Sequence, residues 1–511
     1  VKGPYTLVFD AGTGSGRAVI FDGAGREVAA EAREWWHRGD PAHPGAMDFD
    51  CKGNWAILTE CARAALARAG IAPAAIAALS ATSMREAFVL HDADGAELWA
   101  CANVDARADA QVRRLRETHP GLERRLYLAS GQTYALGALP RLLWLREHRT
   151  DLLDRAAALT MLSDWILYRL SGALVSEPSN AGTTGLLRLS DRSVIAEALA
   201  PAGLGPEIVP PRVQSGEVVG RLSAQAAEAC GLPAGIPVVA GGGDCQIGTL
   251  GLGLVEEGQA AILGGTFWQG VVNVATGLED PSMRLRINPH VLPSLDQAEA
   301  ISFFTGAVMR WCRDALGGGL DYAALEAAAA AVPPGAYGII PVFSDVMRYG
   351  AWIHAAPSLL NLPLDPERGG PAAIFRALQE NAAIVAARNL ATVTELTGHR
   401  PAGLLFAGGA ARSRGWAQIL ADVTGLPVAT ARVKEATALG CACAAATGIG
   451  AFASLAEAGL AWSAVEDRFE PDPSLRGLYD EAAGRWEAAY AAQMALVRDG
   501  VTTAMWRAPG T

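Results

Sequence analysis

Asp10 stands at the mouth of the run FDAGTGSGRAVIF, Phe9 to Phe21, where two apolar segments, YTLVF and RAVIF, flank seven residues rich in Gly, Ser and Thr. In such a turn Gly12, Gly14 and Gly16 leave backbone N–H groups uncovered, so that an anion can be held by several donors at once. Thr13 and Ser15 add hydroxyls. A carboxylate beside the turn suits the water around a magnesium ion, which keeps most of its hydration and binds through few protein groups. The competing explanation is a hairpin turn with Asp10 capping it.

The same chemistry returns far along the chain, in the GGT turn at Gly264, Gly265 and Thr266 within QAAILGGTFWQGVVNVA. Two such turns facing each other across a cleft would grip a polyphosphate from both sides. The chain lacks the GxxxxGK[ST] pattern, and its lysines are only Lys2, Lys52 and Lys434, so any ATP it binds is not held by a P-loop. Asp244 follows three glycines at the end of PVVAGGG. It is either a turn residue or a general base that takes the proton of an attacking hydroxyl in phosphoryl transfer.

These groups need a frame. At 511 residues, 51% hydrophobic and 19% charged, the chain is globular and long enough for about two to four domains. A net charge of -11 without a cluster of cations argues against nucleic acid or an anionic membrane as partner. The eight cysteines include no CxxC and read as reduced core thiols of a cytoplasmic protein. Cys441 and Cys443, two apart in a helix, point to different faces, which disfavours a metal site. No signal peptide is evident, and Gly440–Trp462, with its glycines and Glu457, fits buried helices better than a bilayer span.

The opening reads as strand, glycine turn, strand, a third extended segment around REVAAEARE, a helix from about Asn54 to Ala69, and a strand at IAALSATS. The second half replays this: the GGT hairpin, a helix from Pro371 to about Thr397, a strand, glycine turn and helix in GLLFAGGAARSRGWAQILADVTG, then PVATARV and KEATALGCACAAA. The pattern predicts an α/β protein built by internal duplication, divided near residue 246, with a helical appendage from Pro471 onward.

The ordered series DAGTGS, SMRE, NVDAR, GGGD, GGT, FAGGAARS and EATALG resembles the sugar and polyol kinases of the FGGY family, within the actin-like ATPase superfamily. The resemblance implies two duplicated actin-like (ribonuclease H-like) ATPase domains, residues 1–245 and 246–511, with the active site in the interdomain cleft. It implies ATP- and Mg²⁺-dependent phosphorylation of a small sugar-like or polyol acceptor. Asp10 falls at the metal position. Gly12, Thr13, Ser15 and Arg17 fall on the first phosphate motif, Gly265 and Thr266 on the second, and Gly408 and Gly409 on the turn near the adenosine. Asp244 matches the catalytic base.

By the same resemblance Arg85 and Glu86 fall where glycerol kinases bind substrate hydroxyls, with a surface ion pair as the alternative. Asp105 and Arg107 fall where relatives read WxDxR, and Asn103 replaces the Trp, which favours a small polar ligand. Asp164 and Asn180 are implied cleft residues. Phe267, Trp268 and Gln269 either line the acceptor pocket or, for the two aromatics, pack in the core. A ketopentose or polyol kinase and a non-catalytic actin-like nucleotide sensor are the alternatives in function; no regulatory protein partner is indicated.

Overall fold

The computed structural model describes residues 4–433 and 435–511, so Lys2 and Lys434 lie outside it. Strand β1 (Tyr5–Ala11) turns back into β2 (Ser15–Phe21) and then β3 (Glu27–Glu34). Helix α1 (Cys51–Ala69) begins slightly before Asn54, because the Asp50 carboxylate accepts from Gly53 N at 2.9 Å and caps it there. Strands β4 (Ile76–Ser83), β5 (Val218–Arg221) and β6 (Pro237–Gly243) complete a six-stranded sheet in the order β5-β6-β4-β1-β2-β3.

Helix α2 (Asp244–Gly251) leads into the second half; residue 246 falls inside it. There β7 (Ala260–Gly264), β8 (Trp268–Ala275), β9 (Arg286–Pro289) and β10 (Leu295–Ser302) are followed by α3 (Pro371–Thr397) and β11 (Leu404–Ala407). Next come α4 (Arg414–Thr424), β12 (Val428–Ala431), α5 (Ala436–Gly448), α6 (Leu455–Trp462) and β13 (Val465–Phe469). The seven-stranded sheet runs β9-β10-β8-β7-β11-β12-β13.

Strand by strand the two sheets match. β1 and β7 each pair antiparallel with the next strand and parallel with the strand that follows a long helix, β4 or β11. β6 and β12 continue the parallel run, and β5 and β13 close it antiparallel. The duplication expected from the two hairpins is therefore complete in topology, with β9 as an addition at the far edge of the second sheet. The first half also carries a five-stranded sheet (Arg38–Asp40, His43–Asp48, Glu97–Cys101, Phe88–His91 and Ala158–Met161) that the sequence pattern did not announce.

Helices α2 and α5, each following the third parallel strand of its sheet, pack on one another between the sheets. Their small residues let the backbones meet: a methyl group on Gly440 would lie 1.8 Å from Ile247 O, and one on Gly251 would lie 2.1 Å from Ala436 O. Helix α5 also packs on β1, β4 and β6. Because it is surrounded on all sides, Cys441 and Cys443 are both buried, and all eight cysteines are free. The stretch Gly440–Trp462 is indeed divided between two helices, and among the described residues no helix is long and apolar enough to cross a membrane.

Helix α7 (Arg476–Arg498) supplies the expected appendage, burying Tyr479 and Trp486 against the second half. Beyond it Trp506–Arg507 pairs with Ile353–His354, and Gly510 N donates to Asp109 Oδ1 of the first half at 2.7 Å.

Candidate active site

Between the two sheets lies a cleft of about 700 Å³ whose walls come from both halves. Thr13 and Arg17 line it from the first hairpin, Gly265, Thr266 and Gln269 from the second, and Gly408 and Gly409 from the turn after β11. Arg85, Glu86 and Asp244 line it where β4 and β6 end. Residues predicted from positions more than 300 apart are thus brought to one surface.

The two hairpin turns close differently. In the first, Gly12 N donates to Ser15 O at 3.0 Å; in the second, Gly265 N donates to Phe267 O at 3.0 Å. Asp10 is buried beside its turn, and Arg17 Nη2 lies 3.4 Å from its carboxylate. Burial pushes the Asp10 carboxyl above the usual range, against the pull of Arg17. A buried carboxylate that one guanidinium only partly compensates suits a hydrated divalent cation. Among the described residues no group of three or more His, Cys, Asp or Glu could hold a metal ion, and magnesium, which keeps most of its water, needs fewer.

Asp244 is the first residue of α2, so its side chain projects from the helix N-terminus into the cleft. Water reaches 39% of the side chain through the cleft, yet it lies deep between the halves. Burial raises its pKa to about 6, opposed by Arg85 and assisted by the carboxylates of Glu86 and Asp10. That is a suitable value for a base that must accept a proton near neutral pH.

Arg85 and Glu86 are no surface pair: their side chains are 6% and 7% exposed. Arg85 gives both terminal nitrogens to Glu299, at 2.6 and 2.8 Å, and only its Nε faces Asp244 Oδ1, at 3.4 Å. Glu299 thus occupies the guanidinium fork, and Arg85 meets the cleft through the rest of its side chain. Glu86 pairs with Arg286 and holds a left-handed backbone, φ 61°, which non-glycine residues rarely adopt. Thr183 Oγ1 accepts from Glu86 N at 3.2 Å, and Arg141 Nη1 donates to Glu86 O at 2.5 Å, fixing that conformation from both sides.

Asp105 also departs from expectation. Its carboxylate accepts from Met47 N at 2.7 Å and from Arg107 Nε at 2.7 Å, so it anchors the loop rather than facing the cleft. The cleft side of that loop is Asn103, whose Nδ2 donates to Thr13 Oγ1 at 3.0 Å. Asp164 and Asn180 are fully buried, away from the cleft. Asn180 Nδ2 donates to Ser83 Oγ and Ser163 Oγ, at 3.0 and 2.8 Å. Phe267 and Gln269 line the cleft; Trp268 packs in the core against Phe406 and Trp416.

Sequence reasoning missed Glu435, whose Oε2 accepts from Arg17 Nη1 at 2.6 Å across the halves. It also missed Arg286, Glu299 and Arg141. A second cavity of about 610 Å³ shares Gly264, Gly265, Thr266, Gly409 and Arg412 with the cleft. Met309, Tyr322, Phe375 and Trp416 line it, a surface suited to a flat heterocycle.

Residues 5–251 match the N-terminal domain of the FGGY family of carbohydrate kinases, and residues 276–449 match its C-terminal domain. The chain is 52% identical over 517 residues to autoinducer-2 kinase of Escherichia coli K12, covering 99% of this chain and 98% of that one. It is 51% identical over 520 residues to autoinducer-2 kinase of Salmonella paratyphi B, covering 100% and 98%. Xylulose kinase from Rhodospirillum rubrum superimposes with a TM-score of 0.85 at 27% identity, over 97% of this chain and 100% of that one. Glycerol kinase of Plasmodium falciparum with ADP shares the fold, with a TM-score of 0.83 at 17% identity over 96% and 99%. With both domains matched in order and close relatives along its whole length, this ATP-dependent kinase belongs to the FGGY family of carbohydrate kinases.

Proposed function

We propose that the enzyme phosphorylates autoinducer-2, taken as open-chain 4,5-dihydroxypentane-2,3-dione, at its 5-hydroxyl. The observation that carries this choice of acceptor is the 52% identity to E. coli autoinducer-2 kinase over 99% of the chain. The site is compatible with it, because Glu86, Asn103 and Gln269 give the acceptor end of the cleft a polar wall for a short, oxygen-rich molecule.

In this reading the nucleotide base enters the aromatic cavity beside Gly409, and the polyphosphate runs between the turns at Gly12–Ser15 and Gly265–Thr266. Backbone N–H groups, the Thr13 and Thr266 hydroxyls and Arg17 hold it. Asp244 accepts the proton of the 5-hydroxyl as that oxygen attacks the γ-phosphorus; the bond to the β-bridging oxygen breaks and ADP leaves with its electron pair. Glu86 orients the acceptor, and closing of the cleft keeps water from competing for the phosphoryl group. Mg²⁺, for which Asp10 is the candidate ligand, would offset phosphate charge. ATP dependence and the unpaired thiols favour the cytoplasm.

The alternative acceptor class, a ketopentose or polyol, draws on the likeness to the Rhodospirillum xylulose kinase. One assay separates the two. Purified enzyme with ATP and Mg²⁺ is offered dihydroxypentanedione, xylulose, ribulose and glycerol, and the highest kcat/KM is expected for the dione. A higher value for any of the others would replace this acceptor.

A further inference from the structure

Two charged side chains that the reading above leaves without a task lie directly behind Arg85 and Glu86. Glu299, fully buried on β10, takes the fork of Arg85. Arg286, 1% exposed on β9, pairs with Glu86, and its Nη1 lies 4.0 Å from Glu299 Oε2. Arg286 and Glu299 stand opposite one another in the β9–β10 register, so a single cross-strand pair meets both members of the acceptor pair.

Their other contacts leave the pair little freedom. Arg286 Nε donates to Gln132 Oε1 at 2.9 Å, and Asn288 Nδ2 donates to Glu299 Oε2 at 3.0 Å. The result is a closed, neutral tetrad with Arg85 and Glu86 from the first half and Arg286 and Glu299 from the second. Apolar residues commonly fill such a place at no loss of stability, so buried charge here calls for a task other than holding the fold.

We propose that Arg286 and Glu299 are positioning residues for phosphoryl transfer. Glu299 turns the Arg85 fork away from the cleft, so that only Nε faces Asp244. Arg286 holds the Glu86 carboxylate at the cleft wall against its strained backbone. Without Glu299 the fork is free to clamp Asp244 in a bidentate pair and occupy the oxygens that must receive the proton. The charged groups that act on Asp244 include Arg85 and Glu86 after β4, Asp10 on β1 and Arg17 on β2, and Arg412 and Glu435 line the same cleft; Arg85 is the cation in direct contact, its Nε 3.4 Å from Asp244 Oδ1. The second half thus contributes to the acceptor site as well as to the nucleotide site.

This assignment rests on the proposed roles of Asp244, Arg85 and Glu86, and its test uses the full-length enzyme with ATP and acceptor varied separately. Glu299→Gln is expected to lower kcat by about tenfold or more, and Arg286→Lys to raise the acceptor KM by about fivefold or more, with the KM for ATP within about threefold in both. Calorimetric titration with ATP reports whether the second half has folded. Where a single variant loses ATP binding, the charge-neutral double variant Arg286→Gln/Glu299→Gln takes its place, expected to bind ATP and turn over poorly.

Variants that bind ATP and match the wild type in kcat and acceptor KM overturn the assignment. So does equal loss on both substrates, and so does loss of ATP binding in every variant, which would make the tetrad a fold anchor alone. If the wild-type enzyme leaves every acceptor untouched, the proposed function is what fails. Calorimetric binding of dihydroxypentanedione then replaces turnover as the readout, with unchanged affinity in Arg286→Lys overturning the positioning role.

Discussion

Where β1 reaches Asp10, opposite Arg17 on β2, the matching strand of the second half reaches Leu263, opposite Gln269 on β8. The backbones agree: each turn follows a central strand and faces the common cleft. The side chains differ, since the first turn brings a buried carboxylate and a guanidinium, and the second a leucine and Phe267, which packs on Phe303 and Phe304. The frame is repeated in both halves, and the charge sits on one of them. In the proposed reading the first hairpin handles cationic and reacting charge, while the second offers backbone donors over an aromatic floor.

The largest expected effect tests that division directly. Asp10→Asn should lower kcat by about 10³-fold, a few kcal/mol of transition-state stabilisation of the size a bound divalent ion supplies. Leu263→Asn, at the matching place, should cost less than about tenfold. Steady-state rates at saturating Mg²⁺ and ATP measure both; comparable losses would mean that the two turns share one task.

Asp244 follows β6 and opens the helix between the halves. Asp244→Asn preserves shape without the proton acceptor, so kcat should fall by at least about 10²-fold while ATP still binds by titration. Its raised pKa also fixes the sign of a pH effect. A general base works ionised, so kcat/KM for the acceptor should be flat above a pKa of about 6 and fall tenfold per unit below it. A profile without that limb would return Asp244 to the role of a turn residue.

The hairpins and crossover helices were legible because apolar runs broken by glycine turns report local backbone, and the halves repeated the pattern. Thr266 and Asp244 were legible as cleft residues for the same reason, as they follow strand ends, whereas Arg17, inside β2, was named by the family resemblance alone. Arg286 and Glu299 were not: a buried charge is explained by its partner, and the partners of Arg85 and Glu86 lie some 200 positions away. Asp105 misled because position in a motif says nothing about which way a carboxylate turns, and Met47 N and Arg107 claim this one. The five-stranded sheet escaped because its short strands alternate with loops and repeat nothing.

Thr266→Tyr probes the aromatic-floored turn. Bulk there should weaken ATP binding by about tenfold, roughly 1.4 kcal/mol, and leave acceptor binding within about threefold. Calorimetry of each ligand separately decides the matter. Equal weakening of both would show that the second turn also shapes the acceptor site.

An effect on stability more than on rate separates the two halves at the strand beside each turn. β4 ends at Ser83, opposite Ala11; the equivalent place after β11 is Gly408, with φ 87° and ψ -171°. A methyl group on Gly408 would lie 2.7 Å from Gly264 O, so an alanine there meets both a backbone conformation reserved for glycine and the wall of the phosphate turn. Gly408→Ala should therefore cost about 1–3 kcal/mol of stability and weaken ATP binding, because relief comes by pushing the Gly264–Thr266 turn outward. Ser83→Ala removes only a hydroxyl that accepts from Asn180 Nδ2 at 3.0 Å, at about 1 kcal/mol, with ATP affinity unchanged. Denaturant unfolding and ATP titration of the two variants give the order. If Gly408→Ala bound ATP normally, the turn after β11 would be independent of the phosphate turn, and the resemblance between the halves would extend to this strand end as well.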